Sequence, residues 1–145
     1  GFYPYDFSFS GLKTSMLRQV EKFKNNSCSL PVKDLAASFE KVVVEVLVER
    51  TIKCALDQGL NSLVIVGGVA ANKLLRKTMS FSGAKNGIEL FLAPQAFCTD
   101  NAAMIGAAAL IRLESKLSSS SLELGVKPRM PLVEANLLYQ IPPPF

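Results

Sequence analysis

The chain has 145 residues, of which 49% are hydrophobic and 19% charged, and its net charge is +4. These values are typical of a folded domain, or of a piece of a larger protein, and they exclude a disordered or fibrous chain. No apolar run reaches the roughly 18 residues that a membrane span needs. The positive charge is compatible with a polyanionic partner such as RNA.

Cysteine and histidine usage narrows the chemistry further. The three cysteines, Cys28, Cys54 and Cys98, form no CxxC pair, which argues against a disulfide framework and fits a reducing compartment. With no histidine, this stretch of chain supplies neither an imidazole base nor an imidazole metal ligand. The chain begins without an initiator methionine or a signal-like segment, so we expect it to be the interior of a longer polypeptide.

The first 24 residues predict a strand followed by a helix. Aromatic and small polar residues alternate over residues 5–10, which predicts a strand with Phe7 and Phe9 on one face. After Gly11 the pattern changes to that of a basic amphipathic helix over residues 12–24. The side chains expected to face inward from this helix are Leu12, Met16, Leu17 and Val20.

A long helix is expected over residues 31–58. Pro31 suits a helix start, Asp34 favours the dipole of the first turn, and Gly59 is a typical C-terminal stop. The helix has a broad apolar face, which implies burial against a sheet or another helix. The residues of that face are Leu35, Phe39, Val42, Val43, Val46 and Leu47.

The rest of the chain alternates strands with helices. Strands are predicted at residues 62–66 and 88–92, and helices at residues 70–79 and 99–116. This alternation predicts parallel strands joined by crossover helices, hence an α/β fold. The serine run at residues 118–121 predicts a flexible linker before an extended, proline-rich end. We therefore divide the chain into a domain over residues 1–117 and a linker with tail over residues 118–145.

The turn after the first of these α/β strands contains Gly67 and Gly68. At the carboxyl end of a parallel strand, glycines let backbone N–H groups approach a nucleotide, and a following helix N-terminus favours an anion. Asn72, expected in the first turn of that helix, could then contact a ribose, a base or a carbamoyl group. The alternative is a tight turn with Asn72 as a solvated surface residue, and the two glycines alone do not decide between them.

A second polar segment, "CTDNAAMIGAAAL", opens the last predicted helix. Asp100 lies beside the crevice expected at the strand ends, where a carboxylate is well placed to bind a metal. The simpler alternative is that Thr99 or Asp100 caps the helix by accepting N–H groups of its first turn.

Two further features have a functional and a simpler interpretation. Ser10, Gly11 and Lys13 could face a phosphate from a strand-to-helix junction, although the P-loop spacing GxxxxGKS/T is missing. Otherwise they are only a strand end and a helix start. Basic residues also line two of the predicted helices. The favoured interpretation is that they form solvated faces, and the less favoured one is that they contact tRNA. These residues are Lys13, Arg18, Lys22 and Lys24 on one helix and Lys73, Arg76 and Lys77 on the other.

Taken together and in order, these segments resemble those of a known family. "DFSFSGLKTS", "VGGVAANKLLR" and "CTDNAAMIG" are similar to signature stretches of the tRNA adenosine threonylcarbamoyltransferases, formerly called glycoproteases or O-sialoglycoprotein endopeptidases. "LAASFEKVVVEVL" resembles the family's central helix, and "GVKPRMPL" resembles its C-terminal stretch. The resemblance covers residues 5–132, and the motif forms are closer to the bacterial and organellar branch.

The resemblance implies both a fold and an activity. The fold would be the C-terminal lobe of the actin-like, sugar kinase and chaperone ATPase superfold, which is ribonuclease H-like. The activity would be transfer of a threonylcarbamoyl group from threonylcarbamoyl-adenylate to the exocyclic amine of the tRNA adenosine beside the anticodon. By position, Gly67 and Gly68 would lie against the nucleoside, Asn72 would contact the adenylate, and Asp100 would bind one divalent metal ion, iron or zinc.

The departures from the family are equally informative. Its two histidine ligands, its Ser-Gly-Gly phosphate loop and another substrate-binding aspartate belong upstream of this stretch. We therefore expect this chain to be the C-terminal portion of the enzyme, without its N-terminal lobe. On its own, this chain is expected neither to retain metal nor to catalyse the transfer. Met130 stands where the family usually has tryptophan, which leaves the packing of the tail open.

Partners and compartment follow only from the resemblance. They would be tRNA, the adenylate or an ATP-like nucleotide, protein partners of a tRNA-modification complex, and a second copy of the chain, but no membrane. The compartment would be a bacterial cytoplasm or an organelle. Two other functions stay open, a non-catalytic nucleotide-binding or scaffolding paralogue and, less favoured, a metallopeptidase, although nothing here resembles HExxH.

Overall fold

A computed structural model describes residues 4–26, 29–117, 122, 123, 125 and 128–131. The chain forms two compact units, Gly1–Thr99 and Asp100–Phe145. The predicted serine linker at residues 118–121 lies outside the described residues, as does most of the tail. The boundary after residue 117 therefore stays a prediction.

The strand predicted over residues 5–10 is wrong. Residues 6–9 have no regular structure, and helix α1 (Ser10–Asn25) begins where the strand was expected to end. The carbonyl of Phe9 already accepts from the N–H groups of Leu12 and Lys13, at 3.2 and 3.4 Å. Phe7 and Phe9 do share a side, since their rings stack with centroids 6.2 Å apart. An alternating pattern alone does not make a strand without a partner to pair with.

Helix α1 matches the prediction more closely. Of its four expected inward residues, Leu12, Met16 and Val20 are half-buried, whereas Leu17 is 56% exposed. The inward stripe continues through Phe23 instead, at the helical spacing of three or four residues.

Helix α2 (Val32–Asp57) confirms the long predicted helix and its glycine stop. Gly59 has φ of +66°, a left-handed conformation that favours glycine. The N–H of Leu60 donates to the carbonyl of Ala55 at 2.8 Å, and that of Gly59 donates to Leu56 at 3.1 Å. This is the Schellman arrangement, which satisfies carbonyls that a helix end leaves free.

The buried face of α2 is not the one predicted. The fully buried residues are Val44, Val48, Ile52 and Ala55, whereas the six expected residues are half-buried or exposed. Val42, for instance, is 42% exposed. Because this helix is apolar on nearly all sides, periodicity cannot select the face that packs. The packing partners select it, and they are Leu75, Met79 and Ile88.

The α/β core is a parallel pair of strands with one crossover helix. Strands β1 (Ser62–Ile65) and β2 (Glu89–Leu92) pair in register from Ser62 opposite Glu89 to Ile65 opposite Leu92. Helix α3 (Lys73–Lys85) connects them and packs between α2 and the sheet. It starts later and runs longer than the predicted 70–79, because a 3-10 turn occupies Gly68–Ala71 first.

The second unit contains helix α4 (Ala102–Glu114), which is shorter than the predicted 99–116. In the described part of the chain, no helix is both long and apolar enough to cross a membrane.

A polar cluster at the end of α2 makes stability depend on pH. Hydrogen bonds from Lys53 Nζ at 2.6 Å and from the Tyr5 hydroxyl at 3.0 Å lower the pKa of the Asp57 carboxyl from 3.8. A lowered folded-state pKa stabilises the fold above the unfolded value, and this contribution is lost as the pH falls through the folded pKa.

We therefore expect Asp57→Asn to be less stable than the wild type near neutral pH and equally stable at a pH well below 3.8. Urea unfolding of both proteins across this pH range measures the difference in free energy. A difference that does not change with pH would show that the carboxylate charge contributes nothing.

Candidate functional site

The candidate site is built on the two turns that follow the paired strands. We call residues 66–72 the first strand-end turn and residues 93–98 the second. Because the strands are parallel, both turns leave the same edge of the sheet. The N–H of Ala93 donates to the carbonyl of Ile65 at 3.3 Å, so the strand pairing continues up to the start of both turns.

The two glycines of the first strand-end turn differ in what their backbone requires. Gly67 has φ of +91° and ψ of 171°, a conformation that is essentially restricted to glycine. Gly68 begins the 3-10 turn with no positive φ, and a Cβ added there would meet no neighbouring atom within 4 Å. The fold of the described chain thus explains Gly67 and leaves the absence of a side chain at Gly68 unexplained.

The sequence predicts Asn72 in the first turn of α3. In the structure it is the N-cap of this helix instead. Its Oδ1 accepts from the N–H of Leu75 at 2.8 Å, the contact expected of a capping side chain. Its Nδ2 donates to Glu40 Oε1 on α2 at 2.7 Å. The side chain is half-buried and hydrogen-bonded at both ends, so it is not the solvated surface residue of the alternative interpretation.

A cavity of about 300 Å³ lies between α2 and the first strand-end turn. It is open to solvent and has apolar walls and two polar side chains. The lining residues are Phe39, Glu40, Val43, Val44, Leu47, Val69 and Asn72. The Glu40 carboxylate is a feature that the sequence analysis missed.

Asn72 can be tested for capping and for binding separately. Asn72→Ala should cost about 0.5–2 kcal/mol of unfolding free energy, because the cap of α3 is lost. Asn72→Ser keeps a capping oxygen but removes the amide N–H groups, so we expect it to lose less stability while still weakening ligand binding. Thermal unfolding and AMP titration of both variants measure this, and equal binding by Asn72→Ser and the wild type would exclude Asn72 as a ligand contact.

Arg76 connects the two strand-end turns. Its Nη1 donates to the carbonyl of Ala70 at 2.9 Å and to the carbonyl of Ala93, also at 2.9 Å. Gln95 Nε2 adds a second connection, to the carbonyl of Ala71 at 3.0 Å. The expectation that Arg76 lies on a solvated basic face with Lys73 and Lys77 is therefore wrong, since it is half-buried while those two lysines are exposed.

Asp100 begins the second unit and is exposed. The simpler interpretation expects Thr99 or Asp100 to be the N-cap of α4, but neither residue is. Asn101 is the cap, and its Oδ1 accepts from the N–H of Met104 at 3.1 Å. Capping therefore does not account for the carboxylate at position 100.

The described residues do not form a metal site on their own. Within them, no three side chains among histidine, cysteine, aspartate and glutamate lie close enough to hold a metal ion together. Asp100 can supply one oxygen ligand, and a stable site needs further ligands from elsewhere.

The third predicted segment is not at a strand end. Ser10 and Gly11 are exposed in the first turn of α1, and the described residues 4–9 before it form no strand, so the proposed strand-to-helix junction is wrong. Lys13 lines an apolar groove between α1 and α2 with Met16, Val20 and Phe39. Arg18, Lys22 and Lys24 are exposed, as the sequence predicts.

Comparison with known proteins assigns the family. A family model described as tRNA N6-adenosine threonylcarbamoyltransferase matches residues 1–107, a range that includes both strand-end turns and Asp100. This chain belongs to the tRNA N6-adenosine threonylcarbamoyltransferase family. The resemblance seen in the sequence motifs is thereby confirmed.

Curated members of the tRNA N6-adenosine threonylcarbamoyltransferase family are similar along the whole chain. The relative from Prochlorococcus marinus strain NATL2A is 63% identical over 145 residues, and that from Synechococcus sp. strain WH7803 is 61% identical. A relative from Synechococcus sp. strain CC9605 is 59% identical. Each alignment covers 100% of this chain but 41% of the relative, so the chain spans less than half the length of these proteins.

Proposed function

We propose that the full-length protein containing this chain transfers a threonylcarbamoyl group from threonylcarbamoyl-adenylate to N6 of the tRNA adenosine beside the anticodon. Family membership supports this reaction, since relatives of the same family are named for it. The structural observation that carries the proposal is the first strand-end turn, which exposes a bare backbone at Gly68 and ends on the capping residue Asn72.

The first strand-end turn would bind the nucleoside part of the adenylate. A base or ribose can lie directly against the backbone at Gly67 and Gly68, because no Cβ stands in the way. The adjoining cavity, with its apolar walls and the Glu40 carboxylate, offers contact area and an acceptor for hydroxyl groups. An amide carries two N–H donors, so Asn72 keeps one for the adenylate while the other binds Glu40.

Asp100 would be one ligand of the divalent metal ion, iron or zinc, in the full-length protein. When bound, such a metal polarises a carbonyl or phosphoryl oxygen. A lone carboxylate binds a divalent ion weakly, so the remaining ligands would come from the part of the protein beyond this chain. This chain on its own is expected neither to retain metal nor to catalyse transfer.

The two-stranded parallel sheet with its crossover helix would be part of a larger sheet in the full-length protein. The expected fold is the actin-like, sugar kinase and chaperone ATPase superfold, with this chain in its C-terminal lobe. A strand, a glycine turn and a helix at a ligand crevice fit that fold, as they fit other parallel α/β folds.

The expected partners are tRNA, the adenylate and proteins of a tRNA-modification complex, with a second copy of the chain as a further candidate. Exposed basic residues on α1 and α3 supply positive charge that favours a phosphate backbone. We place the protein in a bacterial cytoplasm or an organelle.

The direct test uses the purified full-length protein with any partner proteins it requires. Unmodified tRNA and threonylcarbamoyl-adenylate are incubated with it, and the nucleosides are analysed by mass spectrometry. We expect threonylcarbamoyladenosine at the position beside the anticodon. Adenylate binding without transfer would instead support a non-catalytic paralogue, and peptide cleavage without transfer would support a metallopeptidase.

A further inference from the structure

The strongest observation outside the predicted site residues is the guanidinium of Arg76. It lies one turn into α3, and a single nitrogen, Nη1, donates to a carbonyl from each strand-end turn. The two acceptors, Ala70 and Ala93, are 23 residues apart in sequence but belong to turns that leave adjacent strands. An arginine in this position fixes the separation of the two turns.

The acceptors make this bond hard to replace. Ala70 is 1% exposed, so its carbonyl has little access to water if the guanidinium is removed. A buried backbone carbonyl without a donor costs free energy comparable to a lost hydrogen bond, and hydrogen bonds to charged donors are among the stronger ones. Lysine is an incomplete replacement, because its ammonium can donate to two acceptors but is a point charge on a shorter, flexible stem.

Cys98 gives an independent gauge of this arrangement. Its thiol is 3% exposed and lies 3.5 Å from the carbonyl of Pro94 and 3.9 Å from Arg76 Nη1. It is therefore enclosed by the second strand-end turn on one side and by the guanidinium on the other. If Arg76 were removed and the turns separated, this thiol would become accessible to solvent.

We propose that Arg76 is a positioning residue of the adenylate site. By holding the second strand-end turn against the first, it keeps the backbone at Gly67 and Gly68 in the geometry that binds the nucleoside. Gln95, whose side chain reaches the carbonyl of Ala71, contributes a weaker connection of the same kind. This inference rests on the proposed function, since it assigns a structural requirement to the same binding site.

The experiment compares variants of the full-length protein by two readouts. Arg76→Met removes the donors at similar length, Arg76→Lys keeps the charge, and Gln95→Ala removes the second connection. Lys85 is exposed in the last turn of α3, so Lys85→Gln is the matched control for loss of charge. Thermal unfolding shows which variants are folded.

The first readout is the rate at which Cys98 is alkylated under native conditions. Trypsin releases residues 86–112 as one peptide, or residues 78–112 from Lys85→Gln, which lacks the cleavage site at position 85. Cys98 is the only cysteine in either peptide, so mass spectrometry follows this thiol alone. We expect Arg76→Met to be alkylated at least about tenfold faster than the wild type, as the loss of a charge-assisted buried hydrogen bond implies. Arg76→Lys and Gln95→Ala should be intermediate, and Lys85→Gln should match the wild type.

The second readout separates positioning from mere stability. We expect the Kd for AMP and the KM for the adenylate to rise at least about tenfold in Arg76→Met, with kcat changed by less than about threefold. Faster alkylation with unchanged AMP binding would overturn the positioning role, and unchanged alkylation would overturn the connection itself.

If Arg76→Met does not fold, Arg76→Lys and Gln95→Ala decide by the same criteria. If the wild type binds AMP but transfers nothing, the proposed function fails while the inference about Arg76 is still decided.

Discussion

Gly68→Ala is expected to leave the stability of the full-length protein unchanged and to raise its KM for threonylcarbamoyl-adenylate by about 10- to 200-fold, the usual cost of one misplaced methyl group in a binding pocket. Stability should not change, because an added Cβ at Gly68 meets no neighbouring atom within 4 Å and strains no backbone angle. Nothing in the described fold requires a glycine there. A ligand lying against the backbone would require one.

Gly67→Ala is the informative companion to this variant. At φ of +91°, a side chain is strained whatever the surrounding space, and we expect a loss of about 1–3 kcal/mol in unfolding free energy. Steady-state kinetics and urea unfolding of both variants separate the two roles. If Gly68→Ala has the wild-type KM, the first strand-end turn is only a tight turn and the nucleoside lies elsewhere.

Asp100→Ala is expected to reduce transfer by about 100-fold or more, because losses of even the outer partners of a metal ligand cost about 10- to 100-fold. The variant should also lose bound iron or zinc, measured by elemental mass spectrometry of the full-length protein. Its stability in the metal-free state should be unchanged, since Asp100 is exposed and does not cap α4.

Asn101→Ala provides the matched control at the adjacent position. It removes the cap of α4, so we expect a cost of about 0.5–2 kcal/mol in unfolding free energy while the metal is retained. An Asp100→Ala protein that keeps its metal and its transfer rate would exclude Asp100 as a ligand.

The parts of the fold with local signals could be predicted from the sequence. Both paired strands, the crossover helix and the glycine stop of α2 follow from short apolar runs and from glycine at helix and strand ends. The strand expected over residues 5–10 was wrong because alternation is only a local preference, and residues 6–9 are irregular up to the start of α1 at Ser10. The buried face of α2 could not be predicted, since the helix is apolar nearly all round and its partners decide which side packs.

The candidate site divides in the same way. Gly67, Gly68 and Asn72 could be located because a strand, a glycine pair and a helix start follow one another in the sequence. Glu40 and Arg76 could not, because their contacts join residues 32 and 17 positions apart and exist only after folding. From the sequence, a charged residue on a helix is predicted to face solvent unless its tertiary partners are known.

The activity of the complete gene tests the proposed function. We would express the full-length gene in a bacterial strain that lacks its own threonylcarbamoyltransferase activity and measure threonylcarbamoyladenosine in the tRNA by nucleoside mass spectrometry. We expect the intact gene to restore the modified nucleoside, and Gly68→Ala and Asp100→Ala to restore much less of it at equal protein levels. Absence of the nucleoside with a well-expressed intact gene and its cognate partner proteins would contradict the proposed function.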